Sequence, residues 1–142
     1  MDILRFDEIN LGLKHQHRVY LCGNLKRDNG SRYIKTDGYE IGISVYSEFT
    51  FEKPHLHSFN TEYNYVVDGE LKIFMINEKR EYHLKAGDLF VIYANEPYVG
   101  KMKAGSKTIF SKVPGGNDKV LVNVLETDPA LQAWGNNWDA KY

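Results

Sequence analysis

The sequence predicts an all-β protein folded as a closed or double-sheet barrel of short strands. Three observations predict it. Apolar and polar residues alternate with period two through the middle of the chain; β-branched and aromatic residues are enriched there; and turn residues break the pattern at short intervals. Eight or more such segments fall within 142 residues, and that many strand edges are hidden only by a sheet that closes or by sheets that cover each other.

Taken in order, "RVYLCGN" reads as a strand, with Cys22 as a small buried hydrophobe. "YEIGISVYSEF" alternates Ile41, Ile43 and Val45 against Glu40, Gly42 and Ser44, which predicts a strand with its aliphatic face buried. "TEYNYVVDGELKIFMINEKREYHL" reads as three strands joined by tight turns at Asp68-Gly69 and at "NEKR". "GDLFVIY", "YVGKMKA" and "KTIFSKVPGGNDKVLVNVLE" continue the series, the last with "PGGND" as a hairpin tip. Only the tail reads as helical: Thr127 or Asp128 caps a short turn, Pro129 opens it and Gly135 stops it.

Length and the 42% hydrophobic content suit one domain over residues 1–142, with one core. The 18 basic and 19 acidic side chains leave a formal charge of -1, so no field draws the protein to nucleic acid or to an anionic membrane. The N-terminus lacks the basic start and apolar run of a signal peptide, no stretch approaches a membrane span, and Cys22 is the single cysteine. A cytoplasmic location is the expectation.

The chemistry-bearing stretch is "PHLHSFNTEYNYVVDGE". Residues two apart on a strand share a face, so His55 and His57 present both imidazoles to one side. If the strand of Glu62 lies alongside, the three form a two-histidine, one-carboxylate set suited to Fe, Mn, Ni or Zn. Taken alone, an H-x-H pair is more often two ordinary surface histidines. His15 and His17, in "KHQHRVY", have no carboxylate at suitable spacing, and Lys14 and Arg18 beside them repel a cation. They are assigned to an exposed strand or loop. If Glu62 points inward, so do Asn64 and Val66, while Tyr63, Tyr65 and Val67 face away. Asn64 then bonds either a polar ligand or the backbone.

The spacing of the stretch resembles the cupin superfamily. "HLHSFNTEYNYVVDG" fits H-x-H-x4-E-x6-G at His55, His57, Glu62 and Gly69, and "AGDLFVIYANEPY" resembles the opening of the second cupin motif at Gly87, Asp88 and Pro97. The resemblance covers about residues 40–126 and implies a jelly-roll β-barrel with a site in its mouth. It departs at Phe49, where the family has glycine, at Tyr93 and Asn95 in the second motif, and at Tyr98, which stands where the last histidine ligand belongs.

The resemblance implies a divalent transition metal on His55, His57 and Glu62 and a small polar ligand, a sugar or organic acid, with Tyr98 as a weak fourth ligand or a hydrogen-bond donor. A metal-free alternative resembles the sugar-nucleotide isomerases and epimerases of this superfamily, with His55 or His57 as base and Tyr98 as acid. A non-catalytic binding module is the third reading. The resemblance also implies a homodimer, which would bury some of the ten tyrosines, seven phenylalanines and two tryptophans. Trp134 and Trp138 either pack the tail across the barrel or stack on a ligand.

Overall fold

A computed structural model describes residues 1–142. Its strands are β1 (Arg18–Gly23), β2 (Ile34–Lys35), β3 (Glu40–Tyr46), β4 (Thr50–Phe51), β5 (His55–His57), β6 (Thr61–Asp68), β7 (Glu70–Met75), β8 (Arg80–Lys85), β9 (Leu89–Ile92), β10 (Tyr98–Met102), β11 (Ser106–Val113) and β12 (Lys119–Leu121). Helices α1 (Phe6–Leu13) and α2 (Pro129–Trp134) flank them. The strands form two sheets, ordered β2-β1-β3-β11-β6-β9 and β12-β5-β10-β7-β8, with β4 paired to β10. The jelly roll is therefore a double sheet, not a ring closed by backbone hydrogen bonds.

This topology corrects both predicted hairpins on the chain's main turns. Asp68-Gly69 joins β6 in one sheet to β7 in the other, and the segment containing "PGGND" carries the chain from β11 to β12, which pairs with β5. Turn residues mark a reversal but not which sheet receives the next strand. Gly69 is required at its corner: its φ is +77°, and a Cβ there would come within 2.5 Å of Ser106 Oγ. "NEKR" does close a hairpin, with Met75 opposite Arg80.

Strand β3 is inverted relative to expectation. Glu40, Gly42, Ser44 and Tyr46 are buried, whereas Ile41, Ile43 and Val45 are only half-buried. A polar interior explains the inversion, because the inward side must present side chains that can meet other polar groups at the site end. In direct register, Glu40, Lys112 and Glu62 form one buried row across β3, β11 and β6. At the other end the interior is apolar, with Tyr46, Val66, Leu71 and Met102 packed together. Ile73, Met75, Ile92 and Tyr98 form a second cluster, and Leu84 and Phe90 touch both.

The N-terminal segment is also more structured than its sequence suggests. Helix α1 lacks a Ser, Thr, Asp or Asn cap; the Glu8 carboxylate instead accepts the Arg5 amide at 2.8 Å and bonds Arg32 at 2.7 Å. The tail matches its prediction: Asp128 accepts the Leu131 amide, Pro129 opens α2 and Gly135 ends it. Leu131 and Trp134 bury against Phe74 and Val99 on the outer face of the second sheet. Trp134 is fully buried, so it packs the tail and is closed to any ligand. Lys101, also fully buried, donates to the carbonyls of Trp134, Asn137 and Ala140 at 2.9, 3.0 and 2.9 Å. Its ammonium thus caps the end of α2, where carbonyls lack partners.

Candidate functional site

Alternation along β5 and β6 brings the site together. His55 and His57 are both inward on β5, and Glu62 and Asn64 are inward on β6. His55, His57, Glu62 and Tyr98 are all less than 5% exposed. His55 lies directly opposite Tyr98 in register.

Each histidine is fixed through its Nδ1. That of His55 donates to the Lys53 carbonyl at 2.7 Å, and that of His57 donates to Asp118 Oδ1 at 2.7 Å. Both Nε2 atoms are thereby left as lone pairs facing inward. Asp118 was invisible as a site residue in the sequence, yet it anchors three groups: its Oδ2 also accepts the amides of Phe59 and Asn60 at 2.9 and 2.8 Å. This is the outer carboxylate that commonly orients a metal-binding or catalytic imidazole.

The two Nε2 atoms meet different neighbours. The Tyr98 hydroxyl donates to His55 Nε2 at 2.9 Å. His57 Nε2 lies 3.4 Å from Glu62 Oε2, an atom that is buried without any hydrogen-bond partner. Asn64 Nδ2 holds the other oxygen, Oε1, at 3.1 Å and so aims Oε2 at His57. Asn64 is thus a supporting group for the carboxylate rather than a free ligand contact.

Electrostatics keep this carboxylate ionised. Burial opposes its charge, but a hydrogen bond from His57 Nε2 when that imidazole carries a second proton, together with the cations of Arg18 and Lys112, more than offsets that and lowers its pKa to about 2. Burial pushes His55 down to about 4, so its imidazole is neutral near pH 7. Tyr98 is pushed well above 10, chiefly by burial and then by the charge of Glu62, so its phenol stays a proton donor.

With His57 neutral, its Nε2 lone pair and the ionised, unpartnered Glu62 Oε2 offer two donor atoms to one cation. Two atoms bound to one transition-metal ion at about 2.1 Å stand roughly 3.0–3.5 Å apart, and the His57–Glu62 separation lies in that range. The donor chemistry of His57 and Glu62 therefore fits a metal ion. His55 has the right lone pair but spends it on Tyr98, and no group of three or more His, Cys, Asp and Glu side chains converges as a metal-holding set.

The interior space beside the site is small. A void of about 20 Å³, bounded by Arg18, Glu52, Glu62, Asn64 and Tyr98 among others, has room for about one water. His15 and His17 lie outside, exposed, on the loop leading into β1.

Residues 47–101 match the family model of the cupin domain, a span that contains β4 to β9 and nearly all of β10. Over those residues the chain carries a cupin domain. Solved structures give the same fold. An uncharacterized conserved protein with a double-stranded β-helix domain from Klebsiella pneumoniae superposes with TM-score 0.55 at 21% identity, over 70% of this cupin and 90% of that chain. The protein KdgF from Halomonas sp. gives TM-score 0.51 at 22% identity, over 58% and 74%. The DMSP lyase DddQ from Ruegeria pomeroyi gives 0.58 at 16% identity, over 74% and 50%. At these identities the likeness establishes the fold of the cupin and nothing finer. No curated protein matches it by sequence.

Proposed function

We propose that this cupin binds a divalent transition metal through His57 and Glu62, with His55 as the third ligand, and acts on or holds a small polar molecule beside it. The observation that carries the reading is the buried Glu62 Oε2 with no partner, 3.4 Å from an imidazole lone pair. A bound metal would supply a Lewis acid to polarise a ligand oxygen.

The protein's own groups have defined tasks in this reading. Asp118 keeps the proton on His57 Nδ1 and the lone pair on Nε2. Asn64 points the Glu62 carboxylate. When Tyr98 turns from His55, His55 Nε2 is released as a donor and the phenol becomes free to donate to a ligand oxygen. The DMSP lyase among its structural neighbours is an enzyme on this fold, which supports a ligand-handling cupin without naming this one's substrate.

The test is elemental analysis of untagged protein purified without chelator, beside His57→Ala. About one equivalent of metal, lost in the variant, is expected; less than about a tenth of an equivalent, not restored by added ions, would sink the reading.

A second reading rests on the His57–Asp118 pair and the Tyr98–His55 hydrogen bond. Without metal, His57 Nε2 is a base backed by Asp118, and Tyr98 an acid, as proton transfer next to a carbonyl requires. A sugar-nucleotide isomerase or epimerase would use them so. Solvent deuterium entering a recovered nucleotide sugar, in chelated protein, would favour it. A binding module without turnover would bind the same ligands and exchange nothing. In each case we expect a cytoplasmic protein free of nucleic-acid and membrane partners, a reading supported by the formal charge of -1 and by the lack of any helix long and apolar enough to cross a membrane.

A further inference from the structure

The void beside Glu62 adjoins a much larger space. A groove of about 460 Å³ runs past His15, His17, Arg27 and Lys119, and it shares two wall residues, Arg18 and Glu52, with the inner void. Its volume falls in the range of small-molecule sites. The inner void does not.

Arg18 stands at the junction in an unusual state of satisfaction. Its guanidinium lies 4.5 Å from the Phe110 ring centroid, and its Nε donates to Ser44 Oγ at 3.0 Å. These contacts fix the plane of the group. Apart from the neighbouring Tyr46 hydroxyl, they leave the terminal amino groups without a protein acceptor, and no carboxylate oxygen comes within 4.0 Å of any of its nitrogens. A half-buried, oriented fork of this kind matches a carboxylate or phosphate bidentately.

The surroundings extend the same pattern. Lys119 lies directly opposite His57 in the β12–β5 register, so it projects to the same side, and it has neither a hydrogen bond nor an ion pair. Arg27, 4.8 Å over the Tyr20 ring, is also unpaired, and the buried Lys112 lies behind Tyr20 with only a 3.4 Å bond to its hydroxyl. Against these stand Asp28, which accepts the Gly30 amide, and Glu52, whose side chain has no partner. Glu52 lines both the groove and the void and can accept a hydrogen bond from a ligand hydroxyl at their junction.

We infer that this groove is the anion-recognising half of the ligand site, where Arg18 and Lys119 hold a carboxylate or phosphate group while a hydroxyl of the ligand points toward Glu62 at the water-sized void. The ligand class is an acidic polyol: a sugar acid or a sugar phosphate. The inference rests on the reading that the ligand lies beside the His57–Glu62 site, but its test does not depend on the metal.

Calorimetric titration of the chelator-treated full chain with glucose 6-phosphate, gluconate and neutral glucose reads the groove alone. At least one anionic probe binds ten-fold or more tightly than glucose, and which of the two does so separates phosphate from carboxylate recognition. Arg18→Gln loses at least ten-fold of that affinity. Lys119→Gln, an exposed change that leaves the fold intact, loses several-fold and flattens the salt dependence. The inference is overturned if glucose binds as well as the anions, if no probe binds, or if Lys119→Gln and a folded Arg18→Gln keep wild-type affinity. A protein that holds no metal yet passes this titration refutes the metal reading and leaves the groove standing.

Discussion

Replacing Asp118 with Asn tests the centre of the site. The carboxylate accepts three N–H groups, from His57 Nδ1, the Phe59 amide and the Asn60 amide, at 2.7, 2.9 and 2.8 Å. Asn keeps the shape but offers one acceptor oxygen and one amino group. With the oxygen turned to the two backbone amides, the amino group faces His57 and donates to Nδ1. The proton of His57 then moves to Nε2, where it points at the unpartnered Glu62 Oε2. Two charge-assisted bonds become neutral ones, at about 1 kcal/mol each, and the third is reversed. A partial offset comes from satisfying Glu62, and the net loss is about 1–3 kcal/mol, or roughly 3–12 °C in melting temperature for a chain of this size. Long-range proton–nitrogen correlation spectra of the chelated protein at pH 7.5 read the tautomer directly. The wild type carries its proton on Nδ1 and Asp118→Asn on Nε2, and metal affinity falls about 10–100-fold. A wild type already protonated only on Nε2, or a variant with an unchanged tautomer and melting temperature, would refute the reasoning.

Other expected outcomes follow from neighbouring contacts. In metal-free protein, His55 titrates at about 4 when folded and near 6.5 when unfolded, so the unfolded chain takes up the proton first as pH falls. Stability from the neutral imidazole is complete above pH 6.5 and drains away toward pH 4, by up to about 3 kcal/mol; urea unfolding at pH 7.5 and 5.0 checks it, and equal stabilities would count against it. Lys101→Met strands the carbonyls of Trp134, Asn137 and Ala140 and costs about 2–4 kcal/mol, seen as early hydrogen exchange after residue 128; protection equal to wild type would contradict it. Gly69→Ala meets both a positive φ and Ser106, and should lower stability by about 1–3 kcal/mol in thermal melts. For the homodimer, the outer row Ile43, Ile109, Tyr65 and Leu89, in direct register across four strands, is the face we expect two copies to share; light scattering should give twice the monomer mass, and Tyr65→Lys the monomer.

Much of this was legible in the sequence because it is local. The spacing of His55, His57 and Glu62 and the alternation to Asn64 need only a strand, and each of these side chains does turn inward. Tyr98 stood out by its place eleven residues after Gly87. What stayed hidden depends on long-range partners. Asp118 reaches His57 from the loop just before β12, and nothing in "PGGNDKV" marks its carboxylate from any other turn aspartate. The inverted facing of β3 was misread because burying the aliphatic set is the default, and that default fails where Glu40, Lys112 and Glu62 share an interior row. His15 and His17 were correctly placed on the outside, but the groove they line comes into being only when β12 brings Lys119 alongside.

The pairing of His57 with Asp118 also sets an order of events during synthesis. The first motif, complete in the chain by Gly69, leaves the ribosome with its imidazole unclamped, because the carboxylate that selects the useful nitrogen follows 61 residues later. A nascent chain ending before β12 holds every residue of the familiar pattern and still lacks a defined proton position on His57. The proton position at this site is thus set only once Asp118 has followed and β12 has paired with β5.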